Sequence, residues 1–261
     1  MPDSPDIFGN ARALLFDLDG VLYVGNRMID GADRVISHVR SRRLPCRFTT
    51  NTTTMSQAAL HRKLLDLGLP VEQSEVFGVI RAAHLFLEQE GDPLCHFLLT
   101  DDPRGDFAGF RQSEDHPTHL VVGDVGKVWD YRLMQRCFEM IIDGAKLVAL
   151  HKGKYWQTET GLRMDIGAFV AGLEYVTDTT AIVIGKPSQK FFKLALDDLG
   201  LDASQVVMIG DDLTNDIGGA QQAGMKGVLV RTGKFRQDLV DRSPVTPDMV
   251  IDSVADLLHL I

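Results

Sequence analysis

The chain has 261 residues, 44% hydrophobic and 24% charged, with 24 Gly and 10 Pro. That length suits one large domain or two modest ones, and the composition excludes disordered, collagen-like and disulfide-scaffold classes. With 27 Lys and Arg against 36 Asp and Glu the net charge is −9, and no segment gathers the basic residues into a run, so the electrostatic footprint of a nucleic-acid binder is absent.

No apolar stretch approaches the ~20 residues of a membrane helix. The opening MPDSPDIFGNAR lacks the basic-then-apolar order of a secretory signal. Cys46, Cys95 and Cys137 lie far apart with no C-x-x-C pair, which predicts buried thiols in a reducing, cytoplasmic setting. Neither nucleic acid nor membrane is expected as a partner.

In chain order, ARALLFDLDG reads as a buried strand running into a tight turn at Gly20. GADRVISHVRSRR is an amphipathic helix with Val35, Ile36 and Val39 on one side. LPCRFTTN is the next strand, and TTTMSQAALHRKLLDLG a helix closed by Gly68. A second set of α/β elements occupies residues 79–181: LCHFLLTDD, THLVVGDV, WDYRLMQRCFEMIIDG, KLVALHKG and DIGAFVAGLEYVTD. Beyond it, TTAIVIGKP is a strand and turn, and SQKFFKLALDDLG a helix with Ser188 as cap and Gly200 at its end. QVVMIGDD is a strand, TNDIGGAQQAG a helix, KGVLVRTG a strand, and PDMVIDSVADLLHLI a last strand plus helix. The alternation predicts a parallel α/β sheet. Periodicity leaves open one continuous sheet or a domain inserted into an outer one.

The chemistry gathers at strand ends, where open α/β sheets bind ligands. Asp17 and Asp19 follow the first apolar run; Asp211 and Asp212 follow Val206–Gly210, with Asp216 five residues after Asp211. Carboxylates so close together repel one another unless a cation neutralises them, and hard oxygen donors on tight turns suit Mg²⁺. Thr49, Thr50 and Asn51 offer hydroxyls, an amide and backbone donors near a helix start, and Lys186 can neutralise a phosphate oxygen. His84, His96, His116 and His119 show no metal-ligand spacing, Asp101 and Asp102 read as a turn, and Trp129 with Tyr131, Leu133 and Met134 reads as helix packing.

Taken in order, DLDGVLY, TTN, GKP and GDDLTND resemble the four motifs of the haloacid-dehalogenase superfamily of phosphatases. The resemblance covers the whole chain, and the gap between TTN and GKP matches the subclass with a large α/β cap, the 4-nitrophenylphosphatase-like one. It implies a Rossmann-like parallel core from residues 1–78 and 182–261 with a smaller α/β cap at 79–181. NTTTMS, HKGKYW, EYVTDT, GGAQQAGM and VRTGKF look most like the phospholysine phosphohistidine inorganic pyrophosphate phosphatase group. The resemblance implies Asp17 as nucleophile, Asp19 as general acid and base, and Mg²⁺ held by Asp17, the Asp19 carbonyl and Asp211. Thr50, Asn51 and Lys186 then hold the phosphoryl oxygens, and Asp216 orients the metal site or Lys186. Asp212 and Asn215 have no assigned role.

The function this predicts is a Mg²⁺-dependent phosphohydrolase acting on a small phosphorylated molecule through an aspartyl-phosphate. A phosphotransferase using the same intermediate is the alternative within the enzyme class, and a catalytically silent binding protein the alternative outside it. Cap relatives that cleave nucleotide or sugar phosphates carry an Asn-x-Asp loop where this chain has His151-Lys152-Gly153-Lys154. That departure leans toward pyrophosphate or phosphoramidates, with His151 and Lys152 facing the leaving group. The resemblance, with Trp129, Tyr131 and Trp156 in the cap segment, also predicts a homodimer joined through the caps.

Overall fold

The computed structural model describes residues 7–158 and 161–261. Residues 1–6, part of the stretch read above as lacking a signal, and 159–160 lie outside the described residues, as do the side chains of 156–158. The chain opens with β1 (Ala13–Asp17), a short ribbon of β2 (Tyr23–Val24) and β3 (Arg27–Met28), then α1 (Ala32–Ser41), β4 (Cys46–Thr50), α2 (Gln57–Asp66) and β5 (Val76–Gly78). There follow α3 (Val79–Gln89), β6 (Leu94–Leu98), α4 (Asp101–Arg104), β7 (Arg111–Gln112), β8 (His119–Val122), α5 (Tyr131–Ile142), β9 (Lys146–Ala149), β10 (Tyr155–Thr158), β11 (Gly161–Met164), α6 (Gly167–Thr177) and β12 (Ile182–Val183). The last part is α7 (Gln189–Leu199), β13 (Val206–Gly210), α8 (Gly219–Gln222), β14 (Lys226–Val230), α9 (Gln237–Arg242) and β15 (Met249–Ile251).

These elements form two compact units, a core unit of residues 1–50, 60–78 and 186–261 and an inserted unit of 51–59 and 79–185. The core unit is built on a six-stranded sheet in the order β15-β14-β13-β1-β4-β5, parallel throughout. All five residues of β1 and of β13 are buried, as the uninterrupted apolar runs require of strands covered on both faces. Because the strands are parallel, their carboxyl ends line one edge. Val35, Ile36 and Val39 are the buried face of α1. The helix α7 is capped by Ser188, whose side chain accepts from Lys190 N–H, and ends on a left-handed Gly200.

The inserted unit carries its own five-stranded parallel sheet, β12-β9-β8-β6-β7. Leu120 and Val122 of β8 and Leu147 and Ala149 of β9 pack with Cys137, Met140 and Ile141 of α5 and Val170 and Leu173 of α6. Trp129, half-buried against this cluster, stacks on Phe169 at 4.4 Å between ring centroids. One face of its ring is therefore packed inside the unit. Burial pushes the thiols of Cys46, Cys95 and Cys137 up to about 11–12, which leaves them protonated and unreactive.

Several expectations need correcting. The strand in TTAIVIGKP pairs with β9, Ile182 opposite Val148, so it belongs to the inserted sheet and the chain re-enters the core after Gly185. Residues 51–59, placed with the core by sequence, cluster with the inserted unit. TNDIGGAQQAG is a single π-helical turn over Leu213–Gly218 followed by the four residues of α8. The closing helix is 3₁₀, Val254–His259. Asp101 and Asp102 open α4 rather than a free turn. The ribbons β2–β3 and β10–β11 are antiparallel pairs outside the expected alternation.

Candidate active site

At the carboxyl end of β1 the side chain of Asp17 is buried, while Asp19, two residues on, is exposed. The turn that follows Asp19 requires glycine. Gly20 has φ +93, and a β-carbon there would lie 2.0 Å from Asp211 Oδ2. Its N–H donates to the Tyr23 carbonyl at 2.7 Å, which closes the turn and leads into the β2–β3 ribbon.

The neighbouring strand ends meet this turn inside the core unit. Asp17, Asp211 and Asp216, all buried, each bring one carboxylate oxygen within 4.8 Å of the others. One buried cation answers them: Lys186 Nζ donates to Asp17 Oδ1 at 2.5 Å and to Asp216 Oδ1 at 2.7 Å, and reaches Thr49 Oγ1 at 3.3 Å. Burial works against the ammonium, but Asp17 and Asp216 raise its pKa and hold it charged. Thr49 in turn donates to the Phe16 carbonyl at 3.1 Å, which fixes β4 to β1 at the site. Thr50, the last residue of β4, is also buried.

Asp216 belongs to the π-helical turn, and Gly210 makes room for it: a β-carbon at Gly210 would lie 2.3 Å from Asp216 Cβ. Its second oxygen accepts from Asp212 N–H at 3.1 Å. Its first oxygen is the one that accepts from Lys186 Nζ, and the expected role, orienting the metal site or Lys186, stands as an expectation. Asp212 and Asn215 acquire a structural reading. The Asp212 carboxylate caps the π-turn, accepting from Thr214 N–H at 3.1 Å and Asn215 N–H at 2.9 Å, and from the Asn215 amide at 2.8 Å.

Asp211 is the group that points to a metal. Its Oδ2 accepts from Lys234 N–H at 2.7 Å, while its Oδ1 is buried without a hydrogen-bond partner. Burial first, then the charges of Asp17 and Asp216, push its pKa up to about 8. With Lys186 between Asp17 and Asp216, and Lys234 Nζ 3.6 Å from the neighbouring Asp212, the Asp211 carboxyl is left to keep a proton that a divalent cation would displace. The donor set of Asp17, Asp211 and Asp216 therefore fits a divalent cation.

One contributor was missed. The segment Arg231–Lys234 after β14 closes the back of the site. Thr232 Oγ1 donates to the Gly20 carbonyl at 2.5 Å, and a β-carbon on Gly233 would lie 2.1 Å from Asp211 Oδ2. The signal was available, since KGVLVRTG is another apolar run whose carboxyl end lies on the same sheet edge.

The remaining site candidates lie in the inserted unit. Asn51 starts the 51–59 segment. His151 is buried, with Nδ1 accepting from Gly153 N–H at 3.2 Å and Nε2 3.8 Å from Asp165 Oδ1. Lys152 is hydrogen-bonded to Glu174. Elsewhere His119 bonds Glu90 and Thr118, and His84 packs on Phe107 and Phe110; these histidines are structural.

Comparison with known proteins follows the same lines. Residues 14–109 match the family model described as haloacid dehalogenase-like hydrolase, and residues 183–257 one described as HAD-hydrolase-like. The bovine haloacid dehalogenase-like hydrolase domain-containing protein 2 is 37% identical over 93% of this chain and 92% of its own. Bovine phospholysine phosphohistidine inorganic pyrophosphate phosphatase is also 37% identical, over 96% of this chain and 94% of its own. Among solved structures, the p-nitrophenyl phosphatase of Archaeoglobus fulgidus superposes with a TM-score of 0.90 at 25% identity, covering 96% of this chain and 99% of that one.

Proposed function

The chain belongs to the haloacid dehalogenase-like hydrolases, and we propose that it is a Mg²⁺-dependent phosphatase acting on a small phosphorylated molecule. The observation that carries this reading is the buried trio Asp17, Asp211 and Asp216 beside the buried ammonium of Lys186, with Asp211 Oδ1 left unpartnered. Bound there by Asp17, the Asp19 carbonyl and Asp211, Mg²⁺ would neutralise the carboxylates and stabilise charge on the phosphoryl oxygens.

The chain's own residues supply the rest. Asp17, held by Lys186, attacks phosphorus, forming a phosphorus–oxygen bond as the leaving-group oxygen departs. Asp19 is exposed beside it, where a carboxyl group can exchange protons with substrate and water. It gives a proton to the leaving oxygen, then takes one from the water that hydrolyses the aspartyl-phosphate. Thr50, Asn51 and Lys186 hold the phosphoryl oxygens as charge develops. Asp216 keeps Lys186 in place.

The substrate reading is drawn from His151-Lys152-Gly153-Lys154 and from the name of the bovine pyrophosphate phosphatase relative. Both favour pyrophosphate or a phosphoramidate over nucleotide and sugar phosphates. A second copy of the chain is the proposed partner, through exposed apolar residues of the inserted unit such as Tyr131, 83% exposed, with Tyr155, Leu162 and Met164. The buried protonated thiols suit a cytoplasmic setting.

The test is release of phosphate from 4-nitrophenyl phosphate with and without Mg²⁺. Turnover that needs Mg²⁺ and vanishes in Asp17→Asn supports the reading. A wild-type protein that releases no phosphate from that substrate, pyrophosphate or phospholysine overturns it.

A further inference from the structure

Both crossings between the two units fall beside residues assigned to phosphate. Thr50 is the last residue of the core unit before the first crossing, and Asn51 the first of the inserted unit. Gly185 is the last residue of the inserted unit, and Lys186 the first of the returning core. Two neighbours in sequence, Thr50 and Asn51, thus belong to different bodies.

The segment that carries Asn51 is fastened to the inserted unit along its length. Thr53 is 2% exposed, and its Oγ1 accepts from Asp124 N–H at 3.0 Å. Ser56 donates twice to Asp102, its N–H to Oδ2 at 2.6 Å and its hydroxyl to Oδ1 at 3.1 Å. Gln57 N–H donates to Asp106 Oδ2 at 2.8 Å. The Ser56 hydroxyl also accepts from Ala59 N–H at 3.1 Å, capping α2. These acids therefore satisfy donors at the helix start that have no partner within the helix. At the other end, the Asn51 side chain lies where a residue larger than glycine at 185 would collide, since a β-carbon there would be 2.6 Å from Asn51 Oδ1.

We infer that Asp102 is a positioning residue for Asn51: by clamping Ser56 it holds the 51–56 segment to the inserted unit, and phosphate affinity depends on that clamp. Without it the segment keeps the bonds of Thr53 and Gln57 but loses its two at Ser56, and the freedom gained there would have to be given up each time phosphate binds. Charge-assisted hydrogen bonds of the kind Asp102 makes are the strong ones. The inference rests on the reading that Asn51 holds a phosphoryl oxygen.

The experiment is a double-mutant cycle on the full chain, read in the Kd of orthophosphate with Mg²⁺ present and, separately, in kcat and KM for 4-nitrophenyl phosphate. Asp102→Ala is expected to weaken orthophosphate about tenfold, raising KM more than it lowers kcat. Asp102→Asn retains an acceptor for Ser56 N–H and replaces the other oxygen by an amide that can donate to the Ser56 hydroxyl, and is expected to bind within about twofold of wild type. In an Asn51→Ala background, Asp102→Ala should add less than about twofold, because residues acting through one another are non-additive. If Asp102→Ala does not fold, Ser56→Ala, which removes the bond to Asp102 Oδ1, is put through the same cycle. Additive losses, or full orthophosphate affinity in both clamp variants, overturn the inference. Wild type that binds orthophosphate without turnover defeats the phosphatase reading alone, and wild type that does not bind it defeats both.

Discussion

A β-carbon on Gly233 would lie 2.1 Å from Asp211 Oδ2, and the next residue, Lys234, donates its N–H to that same oxygen at 2.7 Å. The backbone after β14 can approach the carboxylate this closely only because residue 233 has no side chain, and its φ of +62 favours glycine as well. One oxygen of Asp211 is thereby fixed, and the other is buried without a hydrogen-bond partner.

Gly233→Ala is expected to fold but to displace Asp211. Groups that orient a metal ligand are typically worth about 10–100-fold in metal affinity. The Mg²⁺ concentration for half-maximal phosphate release should rise by that order, with kcat at saturating Mg²⁺ less affected. An unchanged Mg²⁺ requirement would show that Lys234 and Gly233 have no part in placing Asp211.

Much of this site was legible because its residues stand at the ends of apolar runs. Asp17 and Thr50 end β1 and β4, and Asp211 follows β13; these strands are mostly buried, and parallel pairing brings their ends to one edge. The Arg231–Lys234 segment obeys the same rule and was passed over because it acts mainly through backbone N–H and the absence of a side chain, which residue chemistry does not advertise. Strand β12 was given to the wrong sheet because Ile182 and Val183 suit either one. What decides between sheets is the partner strand β9, a long-range fact that periodicity does not carry. The clamp on Ser56 was likewise hidden. Asp102 reads as a turn residue until α4 and the start of α2 are brought together.

Lys186 is predicted to be indispensable to the fold as well as to turnover. Removing one partner from a buried ion cluster leaves uncompensated charge and costs about 3–5 kcal/mol. Lys186→Met should lower the urea midpoint markedly, and adding Asp216→Asn should recover part of the loss by removing one of the stranded carboxylates. If the double variant is no more stable than Lys186→Met, Asp216 is not the partner that strands.

The two acids of the first motif should separate by substrate. Asp17→Asn is expected to abolish turnover, whereas Asp19→Asn should slow it through proton transfer, an effect typically of about 10²–10⁴-fold. An aryl phosphate has a leaving group that hardly needs a proton, so its phosphorylation step should suffer less than that of an alkyl phosphate. Equal losses in rapid-mixing measurements on both substrates would remove Asp19 from its assigned role.

Metal binding should depend on pH through Asp211. In the metal-free fold this carboxyl keeps its proton up to about pH 8, against a usual value of 3.8. Between those limits the native state holds a proton that the unfolded chain has released, so the Asp211 contribution to stability falls as pH rises through the window. Mg²⁺ competes with that proton. The rise in Tm on adding Mg²⁺ should therefore grow from pH 6 to pH 8 and level off above, and Asp211→Asn should reduce the trend to what Asp216, pushed up to about 7 by burial, leaves. A shift in Tm independent of pH in wild type would contradict this account.

The loop after β9 offers the last prediction. His151 is buried with Nδ1 accepting from Gly153 N–H at 3.2 Å, which places its ring proton on Nε2, toward Asp165. Burial lowers its pKa against the pull of Asp165 and Asp124, so the ring is neutral and serves to hold the loop's shape. Lys152, by contrast, already has an anionic partner in Glu174, whose other oxygen accepts from Ala181 N–H at 3.0 Å. An ammonium so engaged has less to give an anionic leaving group. Lys152→Ala alone should then change the ratio of kcat/KM for pyrophosphate over 4-nitrophenyl phosphate little. Glu174→Gln, which leaves the ammonium without its counter-charge, should raise that ratio, and His151→Ala should reorder the substrates by roughly tenfold or more, because discrimination resides in kcat/KM. A large loss of pyrophosphate selectivity in Lys152→Ala would mean that Lys152 leaves Glu174 when substrate binds. A uniform fall for every substrate in His151→Ala would assign the loop to stability, and selectivity would then have to come from other residues of the inserted unit.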